Sequence, residues 1–161
     1  MPPPVKLRAA TAADREFLVE VYAATRMEEL AATDWSAEQK DQFCRMQFNA
    51  QDSHYRQHFA AAKYAVIEFA GVPAGRLSMD LSPDEVRVME LALLPPFRGR
   101  GIGTHLLSSL QRDALVTGQC LTIHVERSNP AQSLYQRLGF RLLEDKGVYL
   151  LLEWRPTAEL R

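Results

Sequence analysis

Cys44 and Cys120 are the only cysteines among 161 residues, too few for a disulfide framework. Both sit in helix-like or strand-like stretches, where a free thiol packs as a small hydrophobe. Neither sign of charge is in excess: 19 Lys+Arg against 20 Asp+Glu leave a net charge of −1. This is not the basic footprint of a nucleic-acid binder, and it points to a small or uncharged partner. No apolar run reaches the ~18 residues of a membrane span. "MPPPVKLR" also lacks the apolar segment of a secretion signal, so a cytoplasmic protein with no membrane association is expected. The histidines and cysteines show no ligand spacing. His54 and His58 form an i, i+4 pair without a third ligand, and no metal is expected.

What is present is a core-forming composition, 47% hydrophobic and 24% charged. It suits one domain over residues 1–161 behind a short tail at 1–4. "VKLRAA" reads as a strand, and Thr11 caps a helix in which Phe17, Val21 and Ala24 recur at helical spacing. Ser36 opens a second helix running to about Phe59, so residues 11–62 are largely helical. Three alternating strands follow as an antiparallel meander: "KYAVIEFA", "AGRLSMDLS" after a Gly71-Val72-Pro73 turn, and "EVRVMELALL" after Ser82-Pro83-Asp84. Next come a helix ended by Gly118, the strand "CLTIHVE", a helix with Pro130 at its first position, and a hairpin across Lys146-Gly147. The order predicts an α/β (α+β) fold, a mixed sheet with helices on its faces.

The chemistry concentrates in "PPFRGRGIGTHLL", Pro95 to Leu107, a glycine-rich basic turn between a strand and a helix. Backbone N–H groups and the positive end of the helix converge there, which suits a phosphate. Glycine lets the backbone approach closely and adopt positive φ. A nucleotide P-loop needs Gly-Lys-Ser/Thr, which is absent. A dinucleotide turn needs a third glycine where Leu106 stands.

Arg98-Gly99-Arg100-Gly101-Ile102-Gly103, followed by Thr104, resembles the Arg/Gln-x-x-Gly-x-Gly/Ala motif of the GNAT superfamily of acyl-CoA-dependent N-acyltransferases. In that family the loop cradles the pyrophosphate of coenzyme A. Downstream, "SNPAQSLYQRLGF" is similar to the family's segment after the fifth strand, with its Asn-Pro-Ala turn, Leu-Tyr pair and Gly-Phe ending. The resemblance implies a mostly antiparallel sheet of about seven strands with four helices on its faces. It also implies fourth and fifth strands that splay apart, residues 85–140 as the acyl-CoA-binding core, acetyl-CoA as cosubstrate, and transfer to a primary amine in a ternary complex.

In that frame, backbone groups around Leu91, Ala92 and Leu93 hold the pantetheine arm like an added strand and polarise the acetyl carbonyl. Of the two arginines, whichever points inward assists the phosphates. Tyr135 occupies the family's tyrosine place and is the candidate acid for the departing thiolate; on helical position alone it also reads as a core aromatic. Asn129 caps the following helix, bonds the coenzyme arm, or does both. His124 is the first candidate base, because it falls where family members that acetylate protein N-termini carry a glutamate. Glu90, on the preceding strand, is the second.

The acceptor side belongs to the two N-terminal helices. Glu28, Glu29 and Trp35 make a combination that suits a cationic amine, or simply a solvated loop. Phe43, Gln47, Ala50 and His54 recur at i, i+4, i+7 and i+11, so Gln47 and His54 interrupt an apolar stripe and need partners, with Tyr55 and Phe59 as neighbouring core. The acceptor is a small-molecule or peptide amine, and "VYLLLEW" reads as an edge strand through which a homodimer would pair. A non-catalytic CoA-binding sensor or interaction module of the same fold is the alternative reading.

Overall fold

A computed structural model describes residues 4–156; residues 1–3 of the expected tail lie outside the described residues. Seven strands form one sheet: β1 (Val5–Ala9), β2 (Ala62–Phe69), β3 (Val72–Leu81), β4 (Glu85–Leu93), β5 (Cys120–Glu126), β6 (Arg141–Asp145) and β7 (Tyr149–Trp154). Their order is β1-β2-β3-β4-β5-β7-β6. The β4–β5 pair is parallel and every other neighbouring pair antiparallel. The meander is as the alternation predicts. Its first turn, however, is Ala70-Gly71, with φ of 51° and 82°. That two-residue turn of positive φ matches strand twist, so β3 already begins at Val72.

Among the described residues five helices rather than four flank the sheet: α1 (Arg15–Thr25), α2 (Met27–Ala31), α3 (Ala37–His58), α4 (Ile102–Thr117) and α5 (Gln132–Arg137). The extra one, α2, occupies part of the stretch expected as a loop. Ser36 caps α3 reciprocally with Gln39, at 3.1 and 2.8 Å, as a Ser-x-x-Gln box should. α5 starts two residues later than the Pro130 signal suggests, because Asn129 Oδ1 accepts from Ala131 N at 2.8 Å and holds a turn there. The segment "VYLLLEW" is not an edge. β7 is paired on both sides, by β5 and β6, and the outer strands of the sheet are β1 and β6.

Each face of the sheet carries its own apolar cluster. Ile67, Leu77, Val88, Leu121 and Ile123 pack beneath Ile102 and Leu107 of α4 and Tyr135 of α5. Val19, Tyr22, Leu30, Cys44 and Phe48 join α1, α2 and α3. Phe48 is 1% exposed, and such a ring contributes about 3–5 kcal/mol against its truncation to alanine.

One irregularity positions the site. In the β3–β4 register Ser78 lies opposite Glu90 and Met79 opposite Val88, leaving Met89 as an extra residue, a β-bulge. Alternation along β4 therefore resets. Val86 and Val88, then Leu91 and Leu93, contribute to the α4-side cluster, while Glu90 bonds to α3.

Candidate active site

The β4–β5 ladder runs only from Glu85/Cys120 to Val88/Ile123. Beyond that register the strands part, and Leu91, Ala92 and Leu93 keep partners on β3 alone. Their β5-facing backbone groups are left for something else to satisfy. A 3-10 turn at Pro95–Phe97 leads from β4 into the glycine loop. Gly99 and Gly101 take φ of 73° and 79°; a Cβ would meet no atom within 4 Å at either, so conformation rather than crowding requires glycine there. The first helical bond of α4 is His105 N–H to Gly101 O. The N–H groups of Ile102, Gly103 and Thr104 consequently have no acceptor within the helix. Gly103 packs beneath Leu134 of α5, 3.4 Å from where a Cβ would stand.

The two arginines of the loop have separate places. Arg98 Nε donates to Leu93 O at 3.0 Å, tying the loop to the end of β4. Arg100 lies over the Phe69 ring at 5.7 Å. An anion held by the loop would fit this set of free N–H groups, positive φ and local positive charge.

At the parting, Tyr135 is 3% exposed and stacks edge-on to Phe140 at 6.1 Å. Burial, reinforced by the charge of Glu90, pushes its phenol up to about 12. Glu90 Oε1 accepts from Gln51 Nε2 at 2.8 Å. Burial raises the Glu90 carboxyl above the usual range, against the opposing pull of Arg76 and Gln51. Tyr55 of α3 is also raised, first by burial and then by Glu90. Two phenols, Tyr135 and Tyr55, thus share one half-dry environment with the Glu90 carboxyl.

His124 stands on β5 in a different company. Lys146 Nζ lies 3.2 Å from its Nε2, and burial, then the charges of Lys146 and Arg87, lower its pKa. The ring is neutral at pH 7, with Nε2 facing a lysine. Both thiols, Cys44 and Cys120, are raised by burial, which suppresses thiolate character.

The N-terminal helices reach the site by contacts the sequence did not reveal. Arg26 donates to Glu126 at the end of β5 at 3.0 Å, to Glu29 at 2.9 Å and to the Tyr22 hydroxyl at 3.2 Å. Glu29 is thereby engaged, Glu28 is exposed, and Trp35 packs on Phe43 with centroids 5.3 Å apart. Gln47 and His54 are exposed rather than interrupting a buried stripe, and His54 stacks on His58 at 4.3 Å. The inward face of α3 is rotated by about one position and carries Cys44, Phe48, Gln51 and Tyr55, with Tyr55 and Phe59 only half-buried. Their 4-3-4 spacing is the signal that would have found Gln51 and Tyr55.

A parallel strand pair that parts beside a glycine-led helix start, in a mostly antiparallel seven-strand sheet, is the arrangement of the GNAT-type α/β fold. The chain belongs to the Acetyltransferase (GNAT) family, which it matches over residues 24–140. It is 30% identical over 111 residues to a putative ribosomal protein bS18-alanine N-acetyltransferase of Bacillus subtilis, covering 61% of this chain and 71% of that one. With N-alpha-acetyltransferase 50 of Danio rerio it shares 35% over 95 residues, 55% of each. Other curated relatives are matched over as little as 9% of their length. In fold it is similar to the PaiA N-acetyltransferase of Thermoplasma acidophilum in complex with coenzyme A, at a TM-score of 0.70, 18% identity, and coverage of 94% and 98%.

Proposed function

We propose that this chain transfers an acetyl group from acetyl-CoA to the amino terminus of a peptide or protein. The observation that carries the reading is the parting of β4 and β5 after Val88/Ile123, which joins the glycine loop at one end to Glu90 and Tyr135 at the other. N–H groups of Ile102, Gly103 and Thr104 would hold the pyrophosphate, with Arg98 and Arg100 as flanking charge, and β4 backbone at Leu91–Leu93 the pantetheine arm. Asn129, already committed to its turn through Oδ1, keeps its amide N–H groups for that arm. Acetyl-CoA supplies an acyl group activated as a thioester. Glu90 accepts the proton of the incoming ammonium, and Tyr135 donates to the departing thiolate.

Glu90 is preferred to His124 because Tyr135 feels its charge, whereas His124 Nε2 faces Lys146. The raised thiols of Cys44 and Cys120 favour direct attack over a covalent enzyme intermediate. A peptide acceptor is supported by the kinship with the bacterial bS18-alanine enzyme. Glu28, Glu29, Trp35, Gln47 and His54 then line the approach rather than the reacting centre. A homodimer formed by strand pairing would use an outer strand, β1 or β6, and not β7.

The test is release of CoA from acetyl-CoA over peptides with free and blocked N-termini, set beside lysine, polyamines and small amines. Turnover confined to free N-termini is the expected outcome. Turnover of small amines alone overturns the peptide assignment, and CoA binding without any turnover leaves a CoA-binding module.

A further inference from the structure

Arg76 of β3 is 4% exposed. Its Nη2 donates to Ser78 Oγ at 3.3 Å, and its guanidinium lies 5.5 Å from the centre of the Phe48 ring. Its Nη1 is sealed from solvent with no partner among the described residues, and the Tyr64 hydroxyl is in the same condition. Both residues line one small cavity between α3 and strands β2 and β3, together with Ser78, Asp52, Arg56 and an apolar wall at Leu18. Two sealed donors at one cavity call for an acceptor that both can reach.

Size limits the acceptor. The space is small: a water-sized sphere fits in it with about 10 Å³ of play for its centre. A space of this size suits a monatomic anion or a single water better than a bulkier oxyanion.

Charge decides between those two. Asp52, the carboxylate of the wall, is bonded by Arg56 at 3.1 Å and lies 3.8 Å from Arg15. Glu90 feels the charge of Arg76 but gives its hydrogen bond to Gln51. Arg56 adds a second cation, 4.5 Å from the centre of the Tyr64 ring. The guanidinium of Arg76 is thus buried without a carboxylate bonded to it among the described residues, a costly arrangement that a water does not neutralise. We propose that this cavity binds one halide ion, chloride, accepting from Arg76 Nη1 and Tyr64 OH. The ion compensates the buried charge and pins α3 to β2 and β3.

The proposal is tested by thermal unfolding of the full chain in sodium chloride and in sodium gluconate at equal ionic strength, since gluconate is too large for the cavity. Chloride at ten times its Kd multiplies the folding equilibrium about elevenfold and raises Tm by about 3–6 °C. In Tyr64→Phe, which keeps the ring and deletes one donor, the difference between the two salts shrinks. A bromide-soaked crystal should show an anomalous peak between Arg76 and Tyr64. Equal Tm in both salts, or an ordered water there in the bromide crystal, overturns it.

Discussion

Glu90 and Tyr135 are residues whose protonation states pull in compatible directions. Burial holds Glu90 towards its neutral form, so a base that must be ionised gains activity only as pH climbs above the ordinary carboxylate range. In kcat/KM against pH, that acid limb should lie above the ordinary carboxylate range. It should vanish in Glu90→Gln, along with about 10²-fold or more of the rate. Gln51→Leu removes a bond that favours the ionised form, so its limb should move to still higher pH; a limb lost in His124→Ala instead would reverse the assignment of the base. Tyr135 is neutral and able to donate throughout, with its phenol pushed up to about 12. Between pH 10 and 12 the unfolded chain loses this proton and the folded chain keeps it, so stability falls as pH rises. The loss attributable to Tyr135 is about 2–3 kcal/mol. Urea unfolding at pH 9 and pH 11.5 should show less loss in Tyr135→Phe.

Elements differ in how far the sequence discloses them. The glycine loop was legible because left-handed backbone leaves few options but glycine, and Gly99 and Gly101 both adopt it. Alanine at Gly101 should cost roughly 1–2 kcal/mol of loop geometry, measured as a rise of about fivefold to thirtyfold in KM for acetyl-CoA with little change in kcat. The face of α3 was less legible. Gln51 and Asp52 share the inward side with Phe48, and polar residues on that side blur the hydrophobic pattern that sets the phase. The start of α5 was misplaced for a local reason: proline's preference for a first helical turn lost to the turn that Asn129 closes. Gly75 of β3 carries a demand that its flanking alternation hides. A Cβ there would stand 2.1 Å from Ala92 O, so Gly75→Ala should lose about 1–3 kcal/mol and lower Tm by about 2–12 °C.

At the scale of the whole molecule, local pattern foretold the strands but not all of their neighbours. The meander β2–β3–β4 follows from short turns. That β7 inserts between β5 and β6 is a long-range choice, and the apolar run Leu150–Leu152 allows it because all three residues are buried. Among the described residues no helix is long and apolar enough to cross a membrane. The extra residue at Met89 has a consequence for insertions and deletions. β4 has one residue more than a regular ladder with β3 would use, so loss of a single codon there would leave a strand that still pairs. Because Met89 is the surplus residue, its loss restores plain alternation, with Val86, Val88, Leu91 and Leu93 still on the α4 side and Glu90 still towards α3. The bulge is thus a place where β4 can lose a residue without turning either half over, so deletion of Met89 should cost the packing of that one side chain and leave Glu90 where it is, whereas deletion of Ala92 would turn Leu93 to the other face.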